Sequence, residues 1–199
     1  MMPPPPKLTR CCASAGRAPS CAPHAWKAWC LPMMIKSERL LITDFTPDMA
    51  RAVHLGSLDE DTRRFLPDEV FETENIAAAV LADLIECYAS AAGPFVHPVL
   101  SEGVYAGYVQ LVPLADGGWE IGYHTVKSMA GRGYATEAVH AFLPVMMNRL
   151  GLNQVMGVCD AENAASLRVL EKCGFTRVYA GEALYHGEMK PVVKMLYTK

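Results

Sequence analysis

The chain has 199 residues, 51% of them hydrophobic and 20% charged, with a formal net charge of −3 and a pI near 6.1. That length suits one domain with a sizeable core and is short for two. The lack of basic runs speaks against a nucleic-acid binder, and no apolar run reaches the roughly 18 residues that suggest a membrane span.

The first 33 residues differ from the rest. They hold Pro3 to Pro6 and four of the seven cysteines, and the first acidic residue of the chain is Glu38. Such a composition offers no core, so residues 1–33 are expected to be a disordered extension or an upstream start assigned in error, with the folded domain at 34–199. A basic, acid-poor stretch also suits a transit peptide, against which the prolines count. Cys21, His24 and Cys30 match no common zinc spacing, and no metal is expected. Leaving out Lys7, Arg10, Arg17 and Lys27 takes Lys+Arg from 18 to 14 against 21 Asp+Glu, a formal charge of −7 that favours a cationic acceptor. Cys87, Cys159 and Cys173 lie within apolar patterns and no CxxC pair occurs. They read as buried thiols of a reducing cytoplasm, the expected location.

Residues 39–45 alternate and form the expected first strand. Thr46-Pro47 then reads as an N-cap with proline at the first helical position, opening a helix towards Leu58. The charges of 59–64 suit a short solvated helix or turn. Thr73 caps a second helix, in which Ile76, Val80, Leu84 and Cys87 recur at helical spacing, and Gly93-Pro94 ends it. Strands at 95–100, 105–114 and 118–125 follow, joined by the turns 101–103 and 115–117 into an antiparallel meander.

The pattern then changes. A loop with two glycines, Gly131 and Gly133, runs straight into a helix at 134–150. Ala135, Ala138, Val139, Phe142, Met146 and Leu150 share one face of it. Gly151 terminates the helix, and Pro144 is expected to kink it. A short buried strand at 155–159 leads to a helix capped by Asn163 and closed by Gly174-Phe175, its apolar face carried by Leu167 and Leu170. Strands near 176–180 and 192–197 finish a mixed α/β (α+β) domain. Its sheet is mostly antiparallel, with one parallel pair across the central crossover and helices at its flanks.

Why should glycines stand directly against a helix start? Either the chain passes close there or a ligand does. Outward amides at a helix N-terminus make an anion site, and Arg132 adds a charge-assisted donor. No Gly-Lys-Ser/Thr ending makes this a nucleotide-triphosphate loop, and no βαβ unit precedes it as a dinucleotide fold requires.

A second stretch, AENAASLRVLEKCGF (161–175), follows one helix and one strand later. With EIGYHTVKSMAGRGYATEA (120–138) it resembles the Gcn5-related N-acetyltransferases, most nearly the branch that acetylates ribosomal-protein N-termini. The family's loop reads Gln/Arg-x-x-Gly-x-Gly/Ala, and residues 130–135 depart from it only at Ala130. The resemblance implies acetyl-CoA in a V-shaped gap between the strands at 118–125 and 155–159, and no metal. It implies that the amides of Gly131, Arg132, Gly133, Tyr134 and Ala135, with Thr136 nearby, hold the pyrophosphate. The backbone of His124, Thr125 and Val126 would pair with the pantetheine arm, and an N–H there would receive the oxyanion.

The acceptor would be a primary amine, on a small molecule or a protein N-terminus, attacking directly so that no cysteine is needed as nucleophile. Glu120 is the expected general base, with a salt-bridged strand carboxylate the alternative reading, and Glu182 is a second candidate. By resemblance Ser166 is the partner of the CoA thiolate, and Asn163 serves with it or only as a helix cap. Glu137 is expected merely to favour the first turn of its helix by charge. A monomer or homodimer without nucleic-acid or membrane partners is expected. The rival to an enzyme is a non-catalytic acyl-CoA-binding module.

Overall fold

The computed structural model describes residues 32–90 and 92–199. The expectations for residues 1–31, the zinc spacing included, lie outside the described residues. An eight-stranded sheet is ordered β1-β2-β3-β4-β5-β6-β8-β7. Its strands are β1 (Met34–Lys36), β2 (Leu40–Thr43), β3 (Phe95–Ser101), β4 (Val104–Pro113), β5 (Trp119–Thr125), β6 (Gln154–Asp160), β7 (Thr176–Tyr185) and β8 (Glu188–Thr198). Every neighbouring pair is antiparallel except β5 and β6. Among the described residues five α-helices flank the sheet: α1 (Ala50–Gly56), α2 (Glu60–Phe65), α3 (Glu74–Cys87), α4 (Tyr134–Leu150) and α5 (Ala164–Lys172).

Strand alternation sends neighbouring residues to two cores. On one face Val99, Val109, Leu111 and Ile121 join Phe142 and Met146 of α4 and Leu170 of α5. On the other, Val96 and Tyr108 join Val53 of α1 and Val80, Leu81 and Leu84 of α3. Phe142 has no exposed surface, and truncating such a side chain costs about 3–5 kcal/mol.

Local chemistry differs from the sequence expectation at a few points. The first strand is a hairpin, β1 with β2, because Ser37 turns the chain by bonding Leu40. Thr46 is extended but makes no side-chain cap, since the chain enters α1 through a 3-10 turn at Pro47–Met49. Asp59 caps α2 instead, accepting from the amides of Asp61 and Thr62. In α3 the buried face starts at Ala77, and Ile76 is 44% exposed. Helix α4 runs unbroken through Pro144, which is exposed together with His140, the residue whose carbonyl loses its partner. Finally, β7 and β8 continue through 181–191 as one long hairpin. Its two-residue turn, His186-Gly187, has φ of 51° and 82°, the geometry that matches strand twist.

Candidate active site

Strands β5 and β6 pair at only two positions, Glu120 with Met156 and Ile121 with Gly157. Beyond them β5 stays on β4 as far as Thr125, and β6 stays on β8 as far as Asp160, so a gap opens between two strand edges. Gly107 lets β4 hold the end of β5: a Cβ there would lie 2.0 Å from the His124 carbonyl oxygen. The Val126 amide donates to Ala106 O on the β4 side (2.9 Å). By strand alternation the amide of His124 turns the same way, and those of Tyr123 and Thr125 face the gap.

At the mouth of the gap, the loop between β5 and α4 holds Gly131 and Gly133 at φ of 77° and 80°. A Cβ on Gly131 would meet nothing within 4 Å, and one on Gly133 only the Arg39 guanidinium at 3.7 Å. The chain therefore does not crowd these glycines; the left-handed backbone requires them. Gly133 caps α4 without any side-chain hydrogen bond to the first-turn amides. The loop is braced from behind. Arg39 donates through Nε to Glu137 (2.7 Å) and through Nη1 to the Arg132 carbonyl (3.0 Å), and lies 4.8 Å over the Tyr134 ring. Glu137 also accepts from the Arg39 amide and the Ser37 hydroxyl. Burial opposes its ionisation, but these donors outweigh burial and hold its carboxyl below the usual range. Glu137 thus does more than favour its helix by charge: it joins the β1–β2 hairpin to the loop. Arg132 itself folds back onto the Ser128 carbonyl (3.2 Å), and Thr136 offers its carbonyl to Cys173.

Across the gap, Asn163 caps α5 by accepting from the Ser166 amide (2.9 Å). Ser166 meets Tyr123 of β5, whose hydroxyl donates to the Ser166 carbonyl (3.0 Å). The two hydroxyls lie 2.9 Å apart, and with the tyrosine proton on the carbonyl Ser166 Oγ donates to Tyr123 Oη. Tyr123 thus bridges the two arms beneath the gap. Burial pushes its pKa well up, so it stays protonated. Tyr123 lies on the strand before the loop, where nothing local in the sequence marks its contact with Ser166. Burial raises Cys159 and Cys173 to about 11, leaving neither a thiolate at neutral pH.

The opposite face of β5 carries Glu120, Gly122 and His124. His124 Nε2 lies 2.9 Å from Thr62 Oγ1, which donates to Asp59 Oδ2 (2.6 Å), so the imidazole Nε2 carries the proton. Burial of the ring lowers its pKa to about 4, with Asp59 opposing. Helix α2 is also tied to both arms, by Asp61 to Lys127 after β5 and by Arg64 to Glu162 after β6. Beside it, Thr62, Glu69, Phe71, Tyr105, Tyr108 and His124 line part of a small cavity. The β7–β8 turn closes over this side, His186 Nδ1 meeting Asp68 Oδ2 at 2.8 Å. Glu182 is exposed on the edge strand, and alternation puts it on the face opposite Tyr185, whose hydroxyl reaches the Val158 carbonyl (3.3 Å). Glu120 is half-buried at the point where β5 and β6 diverge. Among the described residues no His, Cys, Asp and Glu cluster is arranged to hold a metal ion, and no helix is long and apolar enough to cross a membrane.

Comparison with known proteins bears on this arrangement. Residues 39–176 match the family model of the acetyltransferase (GNAT) domain. The chain is 27% identical over 146 residues to the uncharacterized N-acetyltransferase YnaD of Bacillus subtilis (strain 168), covering 73% of this chain and 84% of that protein. Among solved structures, an acetyltransferase (GNAT family) from Bacillus anthracis superposes with a TM-score of 0.71 at 27% identity, over 83% of this chain and 98% of the other. A RimL ribosomal alpha-N-protein acetyltransferase, solved in complex with coenzyme A, gives 0.73 over the same shares at 18% identity, a likeness of fold.

Proposed function

The chain belongs to the GNAT acetyltransferase family and is an acyltransferase, and from that premise we propose that it transfers the acetyl group of acetyl-CoA to a primary amine by direct attack in a ternary complex. One observation carries the reading: β5 and β6 part after two residue pairs, with an uncapped, glycine-flanked helix start at the mouth. The open space over Gly131 and the first-turn amides suit a diphosphate, and the gap-facing amides of Tyr123 and Thr125 suit an extended amide-bearing arm. Acetyl-CoA supplies an activated thioester when bound.

The roles follow from these positions. The amides of Gly131, Arg132, Gly133, Tyr134 and Ala135, with Thr136, hold the phosphates, and Arg39 and Arg132 add positive charge. A gap-facing amide of the 123–125 segment meets negative charge developing on the carbonyl oxygen. Ser166, held by the Asn163 cap and joined to Tyr123, is the proton source for the departing thiolate. Glu120 accepts the proton of the acceptor amine, directly or through water. The acceptor is a small-molecule amine or a protein N-terminus, and the proposed setting is the cytoplasm.

Release of free CoA thiol upon adding a panel of amines tests the proposal. Bound acetyl-CoA with no thiol release for any amine would overturn it in favour of a binding module. A Glu120→Gln variant tests the base: its defect should be largest at low pH and shrink as pH passes the acceptor's own pKa, where free amine forms unaided. An equal defect at every pH would make Glu120 structural.

A further inference from the structure

In a trans peptide the carbonyl and the following N–H point in opposite directions. The Arg132–Gly133 peptide is trans, and its carbonyl is held by Nη1 of Arg39, in the turn between β1 and β2. The Gly133 N–H is therefore aimed away from that turn, outward from the loop. The loop backbone alone does not enforce this. Turning the peptide over changes only ψ of Arg132 and φ of Gly133, and glycine takes φ of either sign about as readily. From its present φ of 80° Gly133 would pass to a negative value. A carbonyl oxygen would then stand where the N–H stands now, and it would repel a diphosphate. The loop has two backbone states, and one of them suits an anion.

What selects that state lies outside the loop. Glu137 Oε2 accepts from both Nε and Nη2 of Arg39, each at 2.7 Å. Its other oxygen accepts from the Ser37 hydroxyl (2.7 Å) and the Arg39 amide (2.8 Å). The Tyr134 ring lies against the guanidinium, and its hydroxyl accepts from Ser101 of β3 (3.2 Å). One edge and one face of the guanidinium are thus engaged, and the planar fork sets its remaining nitrogen, Nη1, 3.0 Å from the Arg132 carbonyl oxygen. A lysine, with a single nitrogen, cannot serve the carboxylate and the carbonyl in this way.

We propose that Arg39 and Glu137 are positioning residues for the cofactor: together they lock the Arg132–Gly133 peptide with its N–H towards the diphosphate. The inference rests on the reading of this loop as the diphosphate site, and it gives Arg39 a role beyond the charge it brings there. Without the lock only a fraction of the molecules would present the N–H, and apparent affinity would fall with that fraction.

Acetyl-CoA is titrated calorimetrically into the full chain and four variants, with melting temperatures measured alongside. Arg39→Lys keeps the charge and loses the fork; it should bind about 10-fold more weakly, since a hydrogen bond from a charged donor is worth that much. Glu137→Gln removes a negative charge near the phosphates, yet it too should bind more weakly, because Arg39 loses its anchor. Ser37→Ala loosens the same hairpin but leaves Nη1 on the Arg132 carbonyl, so it should melt earlier and keep its affinity. Arg39→Lys equal to the unaltered protein, or Glu137→Gln tighter than it, would make charge the whole role and overturn the proposal. So would Ser37→Ala binding as weakly as Arg39→Lys, since the contact would then serve only the fold. Gly133→Asp reports on the site itself. Unchanged affinity there would remove the loop as the diphosphate site and the lock with it, whereas lost affinity there beside an unaffected Arg39→Lys would overturn the lock alone.

Discussion

On the α4 and α5 side of the gap the working groups are mostly backbone. Two left-handed glycines and an uncapped helix start form the loop, and strand amides line the edge. On the side of α2 and the β7–β8 hairpin they are side chains brought from distant segments: Glu69 against Gln110, His124 against Thr62, His186 against Asp68. The first kind of site tolerates many side chains but few changes of backbone. The second tolerates backbone drift poorly and is retuned by single charge changes. One surface can therefore keep its ligand while the other changes acceptor.

The largest effect should come from breaking the backbone side. Gly133→Asp puts a residue that disfavours φ of 80° beside Arg39 and adds like charge at the phosphates. Left-handed strain of about 1–2 kcal/mol joins a charge repulsion of similar size. Acetyl-CoA affinity should fall at least about 10²-fold in a protein still folded by circular dichroism. Gly131→Ala carries the strain alone, since its Cβ meets nothing, and should lose less than about 10-fold. Unchanged affinity in folded Gly133→Asp would remove the phosphate site from this loop.

The side-chain half should respond to pH. His124 titrates near 4 in the folded chain because burial disfavours its charged form, against 6.5 for the free side chain. The unfolded chain thus takes the proton first as pH falls. Stability should be intact above pH 6.5 and decline between 6.5 and 4, by up to about 3 kcal/mol. Melting temperatures at pH 7 and pH 5, compared with those of His124→Asn, isolate the ring: the variant should lose this slope. Parallel curves would show that another group is responsible.

Ser166→Ala sharpens the comparison where the two halves meet. It should lower kcat by roughly 10²-fold at most and move acetyl-CoA affinity by less than about 2-fold, because the phosphates are held elsewhere. Tyr123→Phe should have a similar effect, and the double variant should be no worse than either alone if the hydroxyls act as one unit. Additive losses would separate their roles.

The smallest effect belongs to the first segment. Removing residues 1–32 should leave melting temperature and acetyl-CoA affinity unchanged. The cut must spare Met33, which is 3% exposed and donates its amide to Asp44 (3.2 Å). A drop of more than a few degrees on removing 1–32 would give that segment a structural role.

Much of this was readable along the chain because it depends on neighbours within a few residues. The meander turns, the Thr73 and Asn163 caps, the Gly151 stop and the glycine loop each follow from local backbone preference, and helical period located α3 to α5. The His186-Gly187 turn is locally encoded too, but His-Gly is a weaker hairpin signal than Asn-Gly, so the sequence suggests two short strands where the structure has one long hairpin. Arg39 with Glu137, Tyr123 with Ser166 and Gln110 with Glu69 are separated by 98, 43 and 41 positions. No periodicity relates such residues. They meet because strand register and the packing of helices on two cores bring them to the same gap, and those depend on the whole chain burying its apolar surface at once. Local preference laid out the loop and its helix; only the assembled sheet decided which side chains would stand around it.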